Sequence, residues 1–210
     1  MRSISKEKLK DVLDRHYKWL LEEKGGVPAD LSYTDLSKAD LSNARLELAN
    51  LYHADLSNAN LSKTNLCGAD LSNADLSGAN LSRSCLYAAN LSKTRLYETN
   101  LSNATLYHTN LSEANLQDAN ILGADFSCAV LKDTILDGKM FVSFQYQKEV
   151  ALYAGTDKIR IGCLTHPISH WALNFEKIGT KYGYSSEQIE KYGEFIKKCA
   201  ADYNSAKVCK

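Results

Sequence analysis

The 210 residues carry 25 basic and 25 acidic side chains, so bulk charge selects neither nucleic acid nor an anionic membrane as partner. An apolar share of 44% beside 24% charged residues excludes a disordered chain, and no apolar run approaches the ~20 residues of a membrane span. The first ten residues, MRSISKEKLK, contain no apolar signal stretch, so Cys67, Cys85, Cys128, Cys163, Cys199 and Cys209 are expected as free thiols in a reducing, cytoplasmic compartment.

Residues 3–24 are expected to form an amphipathic helix within an N-terminal segment, 1–28. Ser5 can cap it, Leu9, Val12, Leu13, His16 and Leu20 recur at helical spacing, and Gly25 with Gly26 would stop it. Pro28 then stands where a missing N–H does least harm. The helix reads as a cap on the segment that begins at Ala29, with Trp19 packed on its first coil.

From Ala29 to Gly138 the chain repeats every five residues. A large apolar residue falls at Leu31 and every fifth position through Leu136, 22 units without a skipped register, and only Ile121 and Phe126 replace leucine. Two residues earlier sits Ala in fifteen units and Thr or Ser in seven. A period of five fits neither a helix nor a continuous strand. The small residue and the leucine are two apart, so they share one face of a short extended piece, and the polar residues between units turn the corner. Such a chain buries its leucines only by winding into coils and stacking them, which makes a β-solenoid.

This pattern (small, Asp or Asn, Leu or Phe, Ser or Thr, any) resembles the pentapeptide repeat family. The resemblance implies a mainly β fold, a right-handed quadrilateral β-helix with four units per coil over 29–138. The 110 residues then make about 5.5 coils, or ~26 Å at a strand spacing of ~4.8 Å. Four units per coil also sort the outward side chains into four faces. The repeats hold 13 acidic and 7 basic residues, the segments before and after them +2 and +4, so a negative coil lies between mildly positive ends.

The Leu36 face carries Asp35, Asp55, Asp75, Glu98, Asp118 and Asp137 against Lys38 and Arg95. Asp35, Asp55 and Asp75 are expected in one column. Either they bond corner backbone, or they imitate a phosphate strand for a protein partner. The resemblance adds a further alternative, since some family members bind DNA gyrase as DNA mimics. A duplex carries about one charge per 1.7 Å, roughly 15 over this coil, against a net −6 here. The chain also lacks the inter-coil loop of many gyrase-protecting members. The Leu46 face differs: Cys67, Tyr87 and Tyr107 replace the usual serine, with Leu48 beside them, and aromatic, charge-poor surfaces of this kind form interface cores. The same tyrosines can also serve as a ladder that stabilises the sheet. Tyr52 and Tyr97 lie on other faces.

After Gly138 the period vanishes. Strands are expected at Met140–Tyr146, Glu149–Ala154 and Lys158–Leu164, with Gly155, Thr156 and Asp157 turning between the last two. Pro167 and Ser169 open a helix over Trp171–Ile178, closed near Gly179, and Ser185 with Gln188 forms a capping box for a second helix over 186–203. The run IGCLTHPISHW and the two helices resemble tails on pentapeptide repeat proteins of phages and their bacterial hosts. Residues 139–210 are expected to form a small α+β region that serves as a C-terminal cap or dimer surface. Cys163, His166 and His170 have the spacing of three zinc ligands, with Cys199 as a conceivable fourth, or of a Cys/His nucleophile pair. No acid is placed to orient either histidine, so neither metal nor cofactor is expected.

The repeats supply no phosphate-binding glycine loop, no base beside their serines and no cavity. The expectation is therefore a non-enzymatic protein-binding module in the cytoplasm (of a bacterial host, if phage-encoded). It would contact neither nucleic acid nor membrane directly, and a homodimer through a terminal cap is part of the same expectation. Its partner would be a nucleic-acid-handling enzyme or a bacterial defence protein, inhibited or shielded through an outer face, with phosphate mimicry by the acidic Leu36 face as the favoured mode. The alternatives are a scaffold using the tyrosine face and a metal-dependent activity in the tail.

Overall fold

Five residues suffice for one side and one corner of a square because each unit closes a tight turn on its leucine. Ala39 N–H bonds the Leu36 carbonyl at 3.0 Å, and the residue before that alanine, Lys38, has φ of 60°. A positive φ at the third turn position alone is a type II turn. The same left-handed backbone recurs at Asn43, Asn58, Asn73 and Asn103. Asn tolerates it well, and a bulky residue such as Leu48, with φ of 61°, costs more. The position that reads as freely variable is thus under a backbone constraint.

The computed structural model describes residues 1–126, 128–135, 141–146, 149–153, 158–161 and 164–208, in two units, Met1–Ile135 and Leu136–Lys210. In the first, four turns return the chain upon itself. The isolated bridges join residues 20 apart, in parallel, from Asp30↔Asn50 to Asn115↔Ile135. Only one residue per side is bridged before the next corner, so the sheets consist of single bridges, with few formal strands where short ones were expected. The central residues from Leu31 to Leu116 are 0–2% exposed, and Ile121, on the last described coil, is half-buried. Thr34, Thr64, Thr94, Thr99 and Thr109 in the small slot are buried as well. The hydroxyls of Thr64, Thr99 and Thr109 donate to the carbonyls of Leu41, Leu76 and Leu86 at 2.7, 2.7 and 2.6 Å.

A complete unit, 54–58, shows where its five amides go. Ala54 N–H closes the preceding turn on Leu51 at 3.0 Å, and Asp55 N–H reaches back one coil to Thr34 at 3.0 Å. Leu56 and Asn58 N–H reach forward to Asp75 and Ser77 at 2.7 and 2.9 Å. The fifth amide, Ser57 N–H, has no backbone acceptor; Asp55 Oδ1 takes it at 2.9 Å. Where an Asp or Asn precedes the central residue it is therefore a structural acceptor, as the corner-bonding reading expects. Hydrogen bonds from the following serine hold the Asp30, Asp35 and Asp40 carboxyls below their ordinary range.

Two elements precede the repeats at the N-terminal end. β1 (Arg2–Ser3) adds a parallel strand to β2 (Thr34–Asp35) on the first coil, an element that the sequence pattern does not announce. Helix α1 (Lys6–Leu20) comes next, and Ser5 Oγ accepts Lys8 N–H at 3.2 Å as expected. The helix stops earlier than Gly25. Glu22, with φ of 56°, takes the left-handed cap position, and Glu22 and Glu23 N–H bond the carbonyls of Trp19 and Lys18 at 3.0 and 2.8 Å. Gly26 instead lets the chain return along α1, since a Cβ there would run into the Trp19 backbone. Trp19, expected on the first coil, stacks on His16 with ring centroids 5.5 Å apart. The fully buried His16 is the junction residue: its Nδ1 accepts Ala29 N–H, the first amide of the repeats, at 3.0 Å. That bond places the ring proton on Nε2. Burial holds His16 below the usual histidine range; the nearby Glu47 opposes this and Arg45 reinforces it.

The second unit holds an antiparallel sheet of order β3 (Phe141–Tyr146), β4 (Glu149–Tyr153), β5 (Lys158–Ile161) and β6 (Leu164–Pro167). The expected third strand is thus a hairpin of two. The anticipated Gly155 turn lies outside the described residues. Helix α2 (Ile168–Lys181) starts three residues earlier than expected and α3 (Ser186–Val208) ends later. The Ser185–Gln188 box is reciprocal, at 2.8 and 3.2 Å. Ile159, Ile168, Trp171, Tyr192, Phe195, Ile196 and Cys199 form the core, and Trp171 Nε1 donates to the Ile159 carbonyl at 2.8 Å.

Truncating the fully buried Leu71 to Ala leaves a cavity in a stack that cannot collapse sideways, so chemical denaturation should show a loss of about 2–5 kcal/mol. Stability should also fall with acid in two stages. His16 is neutral when folded and protonates near pH ~6.5 when unfolded, so its contribution is complete above ~6.5 and shrinks as pH falls below it. Hydrogen exchange should then show early loss of protection at Ala29, absent in a His16→Gln variant whose baseline does not move with pH. The Asp30, Asp35 and Asp40 contributions persist above the unfolded value of ~3.9 and are lost as pH drops through the lower folded values. Coil unfolding should therefore accelerate only below pH ~4, by circular dichroism.

Candidate functional site

The leucine interior leaves the outer walls as the working surface, and the wall is set by which unit of a coil a residue belongs to. Asp35, Asp55 and Asp75 do form one column, bridged 35↔55 and 55↔75. Each spends Oδ1 on the serine amide two residues on, at 3.0, 2.9 and 3.0 Å. The column ends in compensation, because Arg95 lies directly above and its guanidinium meets Asp75 Oδ2 at 2.8 Å. Burial opposes ionisation of Asp75, but Ser77 and Arg95 together hold its pKa below the ordinary carboxylate range. Glu98 and Asp118 stand apart from this column, at left-handed corners of the same wall, both with φ of 55°. The Glu98 carboxylate beside Tyr97 raises the phenol's pKa. Asp137 lies outside the described residues.

On the Leu46 wall, Tyr87 and Tyr107 stack with centroids 5.9 Å apart and planes 17° off parallel. His108 closes the group edge-on, 4.3 Å from Tyr107. The Tyr107 hydroxyl lies against the Cys128 thiol, which raises its pKa. Both tyrosines stay open, at 47% and 36% exposure. Leu48 is more exposed, but it sits over Gly68 and is separated from the tyrosines by a coil, not beside them as expected. Cys67 turns toward Cys85 on the next coil, Sγ to Sγ 2.6 Å. At the first coil Arg45 pairs with Glu47 at 2.9 Å and lies over the Tyr17 ring of α1 at 5.5 Å.

This wall is also where the repeat departs most from its own hydrogen-bond scheme. The acceptor slot reads Arg45, Asn65, Cys85, Thr105 and Asp125, three of five lacking the Asp or Asn carbonyl oxygen. The Leu41 wall keeps it throughout (Asp40, Asn60, Asn80, Asn100, Asn120), and there the amides add a ladder, each donating to the coil before at 3.1–3.4 Å. The amides of Glu47, Tyr87 and Tyr107 thus lack the Asx acceptor that Ser57 enjoys, and Tyr87 N–H turns to the Cys67 thiol instead.

A second aromatic group is visible only in the structure. Tyr52, expected to stand apart on another face, joins Tyr33 and His53: the Tyr33 and His53 rings stack at 5.2 Å, and Tyr52 meets both edge-on. The sequence does hold a signal, because Tyr33 and His53 are 20 residues apart and share a corner column. In the second unit His166 and His170 face each other at 4.3 Å, but Cys163 lies outside the described residues and Cys199 is buried in the core. Among the described residues no group of three His, Cys, Asp or Glu side chains is placed to hold a metal ion, and no helix is long and apolar enough to cross a membrane.

Comparison with known proteins bears on the coil. A crystal structure of the pentapeptide repeat protein Rfr23 from the cyanobacterium Cyanothece 51142 is 31% identical over 51% of this chain, with a TM-score of 0.38; the chain spans 64% of that protein's length. A pentapeptide repeat protein of the Arabidopsis thaliana thylakoid lumen is 32% identical over 51% of this chain and 71% of its own, with a TM-score of 0.43. QnrB1, a plasmid-mediated fluoroquinolone resistance protein, is 21% identical over 50% of this chain and 78% of its own, with a TM-score of 0.30. No curated protein sequence matches. The family pattern described as Pentapeptide repeats matches in eight copies, through overlapping stretches from 29–66 to 99–138, more than half the chain. With that repeat wound in the 20-residue coil seen here, the chain belongs to the pentapeptide repeat family, whose coil is a right-handed quadrilateral β-helix.

Proposed function

We infer that this protein is a non-catalytic binding module that engages, and thereby inhibits or shields, a partner protein through the Leu46 wall. One observation carries the reading: Tyr87 and Tyr107 stand exposed and stacked where the repeat has given up its corner acceptor at Cys85 and Thr105. Natural proteins break a local stabilising rule mainly at functional sites and recover the stability elsewhere in the fold. Rigid, pre-stacked aromatics with few charges around them are suited to the centre of an interface, because little side-chain freedom remains to be lost on binding.

A second reading rests on the aspartate column. Asp35 and Asp55 keep one carboxylate oxygen each outside the corner bond, in register one coil apart, so the Leu36 wall can present anionic groups to a basic partner. Arg95 neutralises the third member of the column, and the charge density of the whole coil is far below that of a duplex. DNA mimicry directed at gyrase is accordingly the weaker form of this reading.

Immobilised protein used for affinity capture from bacterial extract separates the two. Tyr87→Ser with Tyr107→Ser should reduce capture of the retained protein at least ten-fold with little change in thermal unfolding. Asp35→Asn, Asp55→Asn and Asp75→Asn together keep the corner bonds, as Asn60 and Asn80 show, and should leave capture intact. Capture that survives the tyrosine changes contradicts the aromatic reading; if it is also abolished by the Asn changes and by salt, the acidic wall is the contact.

A further inference from the structure

We propose that Cys67 and Cys85 form a reversible redox site, an oxidisable dithiol that staples two successive coils of the solenoid. The two residues are 18 apart in sequence and lie on adjacent coils of the Leu46 wall. Their sulfurs stand 2.6 Å apart, well inside the contact distance of unbonded sulfurs and close to the ~2.05 Å of a covalent bridge. Both thiols are half-buried, so small solutes reach them.

The repeat explains why the pair meets. The residue after a leucine normally carries a serine whose hydroxyl bonds back to its own unit's Asp or Asn, as Ser77 does to Asp75 at 2.6 Å. At Cys67 only the amide makes that bond, to Asn65 Oδ1 at 3.2 Å. The side chain points instead to the next coil, where Cys85 occupies a slot that in most units holds the corner acceptor. Two departures from the pattern on neighbouring coils are thus aimed at each other.

The chemistry is thiol–disulfide exchange with a low-molecular-weight disulfide such as oxidised glutathione. Burial, with Cys85 alongside, pushes the Cys67 thiol up to about 12, and the proposal takes Cys85 as the thiol that attacks first. The Cys85 thiolate attacks one sulfur of the reagent, a mixed disulfide forms, and one glutathione thiolate leaves. Capping Cys85 removes its share of the shift on Cys67. Cys67 then loses its proton to water, attacks the Cys85 sulfur and expels the second glutathione thiolate. Two protein thiols are oxidised to one disulfide, the reagent is reduced to two thiols, and the two protons end on the glutathione.

The test uses the full chain, reduced, desalted, exposed to oxidised glutathione, then alkylated and digested with trypsin. Cleavage at Lys63, Arg83 and Lys93 puts Cys67 on peptide 64–83 and Cys85 on peptide 84–93. The expected product is the linked pair of peptides, with both cysteines protected from alkylation together and released by dithiothreitol. The oxidised protein should melt at a higher temperature than the reduced one, a difference absent in Cys67→Ser and Cys85→Ser. Cys67→Ser places the repeat's usual residue in its slot and should retain a lasting glutathione adduct on Cys85, while Cys128→Ser should behave as wild type. A stable adduct on wild-type Cys85, a link from either thiol to Cys128 or to a second chain, or two thiols that stay alkylatable while those of the unfolded chain are oxidised, would each overturn the proposal.

Discussion

A backbone that turns a corner every five residues leaves one amide per unit beyond the reach of any backbone carbonyl, and the corners differ in how that amide is satisfied. Two of the five N–H groups reach forward to the next coil, one reaches back, and one closes the turn. The last depends on a side chain, the Asp or Asn placed two residues before it. A buried or half-buried amide without an acceptor is expensive, comparable to a lost hydrogen bond at each corner of each coil. The leucine interior supplies most of the driving force for stacking, whereas the Asx bond satisfies the corner amide where it is present; the corners at Leu86 and Leu106 close the same turn, at 3.0 and 3.1 Å, without it.

The walls inherit their character from this requirement. Along the Leu41 wall the acceptors are kept and extended into an amide ladder, a surface devoted to stability. Along the Leu46 wall the acceptors give way to Arg45, Cys85 and Thr105, and the residues two positions on become Glu47, Tyr87 and Tyr107. The thiol pair and the tyrosine stack are therefore parts of one departure from the repeat. The Leu36 wall lies between these extremes: its carboxylates serve the corners first, and only the oxygens left over define its charge.

Much of the coil was legible in the sequence because its signal is a strict period. Leucine every fifth residue fixed the interior, and small residues two positions earlier fixed the inner face. The left-handed corner was harder to see, since lysine, asparagine, leucine and glycine all occupy it and no composition marks a φ of 60° at Lys38. Terminal β1 escaped because two residues, Arg2 and Ser3, form a strand only against an edge already built by Thr34 and Asp35. Similarly, α1 ends at a non-glycine cap, Glu22, while the more obvious Gly26 serves close packing. The Tyr33–Tyr52–His53 group and the thiol contact emerge only when residues 18–20 apart are laid side by side, because the coil, not the local chain, makes them neighbours.

The most direct test is residue-resolved amide hydrogen exchange across the corners of the coil. Amides that come after an Asp or Asn acceptor, such as Ser57, Ser62 and Ser77, should be protected nearly as well as the inter-coil amides of their own units. That of Tyr107, on an equally interior coil, should exchange markedly faster. Equal protection at both kinds of corner would contradict the side-chain acceptor as the group that satisfies the corner amide.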